Sequence, residues 1–224
     1  MTDSIVRLDL GMVNVYLIAN ENGFFLIDTG FATHRARVDA LLRGAGCGAG
    51  DLKLIVVTHG DADHAANAAY LRTRYGAKIA MHRAEAPAVE RGNMFLSRGT
   101  PSLGRRLMKP VMSLFRLRKR DRFTPDILLE DGDRLDAYAW DAVALHVPGH
   151  TRGSIAVLTD DGDFFSGDFL ENRRVPSIST FVDDQEALMA SFRRIEELSI
   201  QTVHPGHGGP FPFVAITTRL RSES

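Results

Sequence analysis

Thr58-His59-Gly60-Asp61-Ala62-Asp63-His64 is the stretch on which the reading of this chain turns. It follows an apolar run, Leu52-Lys53-Leu54-Ile55-Val56-Val57, that reads as a buried strand. It precedes Ala65-Ala66-Asn67-Ala68-Ala69-Tyr70-Leu71, which reads as a helix, so that one helix is expected from Ala62 to about Tyr75. Two imidazoles and two carboxylates are thus crowded into one strand-to-helix loop. Carboxylates so close repel one another and resist burial. A divalent cation removes that cost, because it accepts neutral imidazole nitrogen and ionised carboxylate together, the ligand set that Zn²⁺, Mn²⁺ and Fe²⁺ prefer.

Other strand-like segments end in similar residues. Phe24-Phe25-Leu26-Ile27-Asp28-Thr29-Gly30 runs into Asp-x-Gly. Val147-Pro148-Gly149-His150-Thr151-Arg152-Gly153-Ser154, Phe165-Ser166-Gly167-Asp168 and His204-Pro205-Gly206-His207-Gly208 follow in turn. Taken together and in this order, these segments resemble the metallo-β-lactamase superfamily of metallohydrolases. The glyoxalase-II-like branch is nearest, through Asn14-x-Tyr16-Leu17 and the Pro-Gly-His segments. One residue departs from the pattern. Asp61 stands where the family's His-x-His-x-Asp-His signature has its second histidine.

The resemblance implies an α/β fold, a four-layer αββα sandwich of two mixed β-sheets flanked by helices, with metals at one edge of the sheets. It implies two divalent metal ions, zinc in the first place, with the harder carboxylate of Asp61 shifting preference somewhat toward iron or manganese. His59, Asp61 and His150 would bind the first ion, and Asp63, His64 and His207 the second. Asp168 would bridge both, and Asp28 would hold the His59–His64 loop by hydrogen bonds. A water shared by the ions loses a proton near neutral pH and becomes the nucleophile, with Asp63 orienting it. The expected function is a metal-dependent hydrolase of a small ester, thioester, lactone or phosphoester. The alternative is an iron-dependent oxidoreductase on the same fold, of the persulfide dioxygenase or di-iron kind.

Composition narrows the classes. A chain of 224 residues with a net charge of −1 and 44% hydrophobic residues is expected to form a single domain over 1–224. Cys47 is the only cysteine, which rules out an intramolecular disulfide. No secretory leader or membrane span is legible, so a cytoplasmic protein is expected. The sequence also has no room after His207 for the helical extension that holds glutathione in true glyoxalase II. Alternating strand and helix patterns support the α/β class. Strands are expected at 13–18, 23–28, 78–81, 142–147, 154–158, 163–166 and 201–204, and helices at 34–42 and 183–198. Asp183 and Asp184 suit the positive end of the last helix dipole.

The segment from about Ala84 to Thr124 interrupts this alternation. Arg91, Arg98, Arg105, Arg106, Lys109, Arg116, Arg118, Lys119, Arg120 and Arg122 lie in it with few acids. Leu103, Leu107, Met108, Val111, Met112, Leu114 and Phe115 recur at near-helical spacing, with Pro110 as a kink. The expectation is a basic helical insertion with a solvated charged face, serving as a lid or homodimer surface that attracts a small anionic substrate. The near-neutral total charge argues against nucleic acid and membrane as partners. His34, His82 and His146 lack a partner motif and are assigned to packing, and His204 to supporting its strand.

Overall fold

The apolar runs of this chain are continuous rather than alternating, as expected for strands covered on both faces, and the computed structural model, which describes residues 4–96, 98 and 116–223, bears this out. The first sheet has the order β1 (Ser4–Asp9), β2 (Asn14–Asn20), β3 (Gly23–Ile27), β4 (Leu52–Val56), β5 (Lys78–His82), β6 (Ile127–Leu129). β1, β2 and β3 are antiparallel, whereas β3 to β6 run parallel. β10 (Leu170–Glu171) and β11 (Ser177–Ile178) make a small separate pair. The second sheet has the order β13 (Phe211–Pro212), β12 (Thr202–Pro205), β9 (Asp163–Gly167), β8 (Ile155–Thr159), β7 (Ala142–His146).

Within each strand, successive side chains enter different layers. Tyr16, Ile18, Phe25, Ile27, Leu54 and Val56 point inward to Ala144, Ile155, Val157 and Phe165 of the second sheet and to Trp140 just before it. Their neighbours Val15, Leu17, Leu26 and Ile55 point outward to Val38 and Leu42 of α1 (Arg35–Gly44) and Leu71 of α3 (Ala68–Tyr75). On the far side, Ala156, Phe164 and Val203 pack against Leu188, Phe192 and Ile195 of α5 (Gln185–Ile195) and Ile216 of α6 (Phe213–Glu223). The result is the four-layer αββα arrangement. Among the described residues, no helix is long and apolar enough to cross a membrane.

The structure departs from the sequence expectations in four places. The helix expected from Ala62 to Tyr75 is two helices, α2 (Ala62–Ala65) and α3, parted at Asn67. Asn67 turns its buried amide onto the carbonyls of Thr29 (2.7 Å) and Phe31 (2.9 Å), so the side chain serves the Asp28 loop. The edge strand β1 and the three-residue β6 were not anticipated, being exposed or too short to carry a pattern. Nor was α6, which rests on Phe213 and Ile216, with Leu220 partly buried against the same cluster. Of the proposed insertion, α4 (Ala86–Arg91) and short 3-10 turns are seen, while the pattern from Leu103 to Phe115, with Pro110, lies outside the described residues.

β3 and β4 of one sheet and β7, β9 and β12 of the other end at the same edge, and every motif loop leaves from there. Asn14 and Tyr16 tie the sheets together at this edge. Asn14 donates from its backbone to Gly206 (2.8 Å) and from its amide to Pro205 (2.8 Å), whose carbonyl also accepts from the Tyr16 hydroxyl (2.8 Å).

Between the sheets, Phe25 stacks on the fully buried Trp140 at 4.9 Å between ring centroids. Phe25→Ala is expected to cost about 3–5 kcal/mol of stability. A denaturant titration followed by the fluorescence of Trp140, the single tryptophan, measures it.

Candidate metal centre

Each imidazole at this edge is held from behind. The Nδ1–H of His64 donates to Asp28 Oδ2 (2.8 Å) and that of His150 to the carbonyl of Phe181 (2.6 Å). His207 Nδ1–H donates to the carbonyl of Met12. His59 Nδ1–H donates to the hydroxyl of Thr58 (3.0 Å), which passes its own proton to Asp28 (2.9 Å). These acceptors orient the rings and turn every Nε2 inward, where that of His207 also lies in hydrogen-bond contact with Asp168 Oδ2 (3.1 Å).

The Nε2 atoms gather around two points. His59 and His150 each lie 3.6 Å from Asp61 Oδ2, and 3.9 and 3.6 Å from Asp168 Oδ2. His64 and His207 lie 3.6 and 3.7 Å from Asp63 Oδ2, and each is 3.1 Å from an oxygen of Asp168. These separations match the ligand-to-ligand edge of a tetrahedron with bonds of about 2.1 Å, which is about 3.4 Å. His59, His64 and His150 have buried Nε2 atoms with no hydrogen-bond partner, as do Asp61 Oδ1 and Asp168 Oδ1. The donor set therefore fits divalent cations, with His59, Asp61 and His150 at one point, Asp63, His64 and His207 at the other, and Asp168 between.

Local backbone makes this crowding feasible. Asp61 occupies the N-cap position of α2, yet its side chain caps nothing and turns into the site. Gly206 has no alternative, because a Cβ there would lie 2.6 Å from Asp168 Oδ1 and 2.8 Å from His64 Cε1. Asp28 itself sits at φ 59°, a left-handed conformation that Asp tolerates better than most residues. That turn lets one carboxylate serve Thr58 and His64 together.

Charge is balanced within the cluster. Burial works to raise the Asp61 carboxyl, but Arg98, then His150 and His59, outweigh it and hold it well below the usual range. Asp168 is likewise opposed by burial and held well below by His64 and His207. Burial works to lower His64 and His207, but the surrounding carboxylates, Asp168 foremost, raise both. Both carboxylates thus stay ionised and available as ligands.

Of the remaining histidines, His204 stacks on Phe165 and reaches Asp163 (2.7 Å), away from the cluster. His82 and His146 stack face to face at 4.2 Å, a pairing across the two sheets that no local pattern announces.

A family profile of the metallo-beta-lactamase superfamily matches residues 8–207. The chain belongs to that superfamily. It is 30% identical over 174 residues to the acyl-coenzyme A thioesterase MBLAC2 of Homo sapiens, covering 70% of this chain and 57% of that one. The chain thus spans little more than half the length of this relative. It is 28% identical over 145 residues to the hydroxyacylglutathione hydrolase GloC of Haemophilus influenzae, covering 64% of this chain and 61% of the relative. Among solved structures, TTHA1623 in a di-iron-bound form is similar at 27% identity and a TM-score of 0.69, with 93% of this chain and 94% of that one covered.

Two residues at the centre of this superfamily member escaped the sequence reading. Glu85 is fully buried and accepts from the backbone N–H of Gly60 (2.7 Å) and of Gly153 (3.1 Å), pinning the first motif loop to the Pro-Gly-His loop. Arg98, counted in sequence with the solvated basic face, is instead buried against Asp61. A lone glutamate and one arginine among many carry no local signal.

Asp28→Ala should lower divalent-metal affinity by about 10–100-fold, since His64 and Thr58 lose their shared acceptor. Asp28→Asn should cost less, because Asn keeps the left-handed turn and one acceptor oxygen. Competition titration against a chromophoric chelator measures both.

Proposed function

We propose that this chain is a metal-dependent hydrolase of acyl thioesters, carried by two metal positions that share Asp168. The convergence of inward-facing imidazole nitrogens and ionised carboxylates is the observation that supports it most directly. When bound, divalent ions supply Lewis acidity and make water a nucleophile at neutral pH. The protein's own residues do the rest. His59, Asp61 and His150 would hold one ion, Asp63, His64 and His207 the other, and Asp168 lies between the two groups. Asp63 has the most exposed carboxylate of the three, at 21% against 9% for Asp61 and 12% for Asp168, and orients the attacking water. Cys47 is no rival nucleophile, since it packs in the core and burial pushes its thiol up to about 11.

Two of the named relatives, a thioesterase and a hydroxyacylglutathione hydrolase, act on thioesters, which favours that substrate class over other esters. A cavity of about 490 Å³ beside the cluster fits it further. Phe31, Ala62, Ala66 and Leu117 offer apolar wall, while Arg116, Arg118 and Arg120 stand at its margin. Such a cavity suits an acyl thioester whose thiol carrier is anionic, as in coenzyme A. The triple substitution Arg116→Ala, Arg118→Ala, Arg120→Ala is expected to raise KM for an acyl-coenzyme A about tenfold or more. KM for a neutral acyl thioester of N-acetylcysteamine should stay unchanged. Equal changes for both substrates would refute the anionic-carrier reading.

A second reading is iron-dependent oxidoreductase chemistry, favoured by the carboxylate at Asp61 and by the di-iron-bound relative. Elemental analysis of anaerobically purified protein separates the two. Zinc, with thioester hydrolysis abolished by chelation and restored by re-addition, is the expected outcome. Iron with oxygen uptake on a persulfide substrate would favour the second reading.

A further inference from the structure

Among the described residues, Arg98 is the one guanidinium that the structure brings into the cluster itself. Its side chain is 3% exposed. Nη2 donates to Asp61 Oδ2, the same oxygen that faces the Nε2 atoms of His59 and His150. Nη1 donates to the carbonyl of His150 (3.2 Å) and to Asp183 Oδ1 (3.4 Å). The guanidinium plane lies over the Phe181 ring, 4.9 Å from its centroid, and the Phe181 carbonyl holds His150 Nδ1. Every one of these contacts falls on the His59, Asp61 and His150 side of the centre. None of the hydrogen bonds and ion pairs of Arg98 among the described residues reaches Asp63, His64 or His207.

Asp61 brings a negative charge to a position where the superfamily's signature has an imidazole. The guanidinium on the Asp61 oxygen offsets that charge on the side facing the two imidazoles, while Asp183 lies on the far side of Arg98. We infer that Arg98 is the built-in counter-cation of Asp61, which offsets the carboxylate's charge at the first metal position and holds its cation affinity below that of the second. The inference rests on the metal-binding reading above and adds an inequality between its two positions. A buried cation sharing a ligand oxygen repels an incoming dication, and the low-dielectric surroundings strengthen that repulsion. Asp183, paired to the other side of Arg98, keeps the guanidinium in place.

The sign of one substitution separates this role from mere support. A residue that only orients its neighbours weakens metal binding when removed, by about 10–100-fold. A counter-cation does the opposite. Arg98→Met keeps the bulk of the side chain but leaves Asp61 unopposed, and should tighten the weaker of two metal-binding phases by about tenfold or more. Asp61→His with Arg98 retained leaves a buried guanidinium, paired only on its far side to Asp183, beside three imidazoles and should weaken the weaker phase by about tenfold or more. Asp61→His combined with Arg98→Met should restore it, and Arg98→Lys should resemble the wild type.

Co²⁺ and Zn²⁺ titrations of chelator-treated protein, counted in ions per chain and followed by the visible Co²⁺ spectrum, read all five proteins without any assay of turnover. Circular dichroism of each metal-free variant identifies one that has not folded, and the double variant then carries the test alone. Two unequal phases in the wild type, tightening in Arg98→Met and recovery in the double variant support the inference. An Arg98→Met that binds the weaker ion less well or equally, or a double variant no better than Asp61→His, overturns it while leaving the metal reading intact. No bound ion in any of the proteins overturns both.

Discussion

The structure depends on four imidazoles held from behind. Thr58, Asp28, Phe181 and Met12 each accept a hydrogen bond from an Nδ1–H, and in doing so aim four Nε2 atoms at a small volume that already contains Asp61, Asp63 and Asp168. Carboxylates and imidazole nitrogens packed so tightly repel one another unless cations lie among them. Such an arrangement is stable only where cations balance it, whether metal ions, protons on His64 and His207, or the guanidinium of Arg98. The acceptors come from several distant parts of the chain, so the cluster forms only when both sheets are assembled. Folding and site formation are in this sense one event.

The two sheets supply the rigidity this needs. Strands covered on both faces have few alternative packings, and strand ends anchored in such a core hold their loops to within tenths of an ångström. Asn14 and Tyr16 close the edge of the sandwich on the backbone of Pro205 and Gly206, directly behind His207. Glu85 does the same for the opposite pair of loops, accepting from Gly60 and Gly153 with its two oxygens. Substitutions at these supports act on the chemistry through position, without any contact with substrate.

Much of this was legible in the chain. The runs 24–27 and 54–57 announce buried strands through unbroken apolar character, and Asp28 and His59 follow just beyond them. Legibility failed where a side chain's role is set by something distant. Asn67 breaks a helix that its local sequence favours, because its amide is recruited to carbonyls of the Asp28 loop. Asp184 caps α5 as its position suggests, accepting from Ala187, while its neighbour Asp183 turns instead to Arg98. His82 and His146 look unrelated in sequence and stack face to face in space.

By itself the sequence determined most of the strand-and-loop order, and its resemblance to the superfamily implied which motif residues meet at one edge. Apolar periodicity and short polar loops are local properties, and the order of strands limits where their ends lie. Tertiary structure alone decided which nitrogen of each histidine faces inward, that Glu85 joins two loops, and that Arg98 is an internal partner of Asp61 rather than a surface charge. Those outcomes depend on hydrogen-bond acceptors and counter-charges remote in the chain, and a charge shows no sign of being buried until the fold has enclosed it.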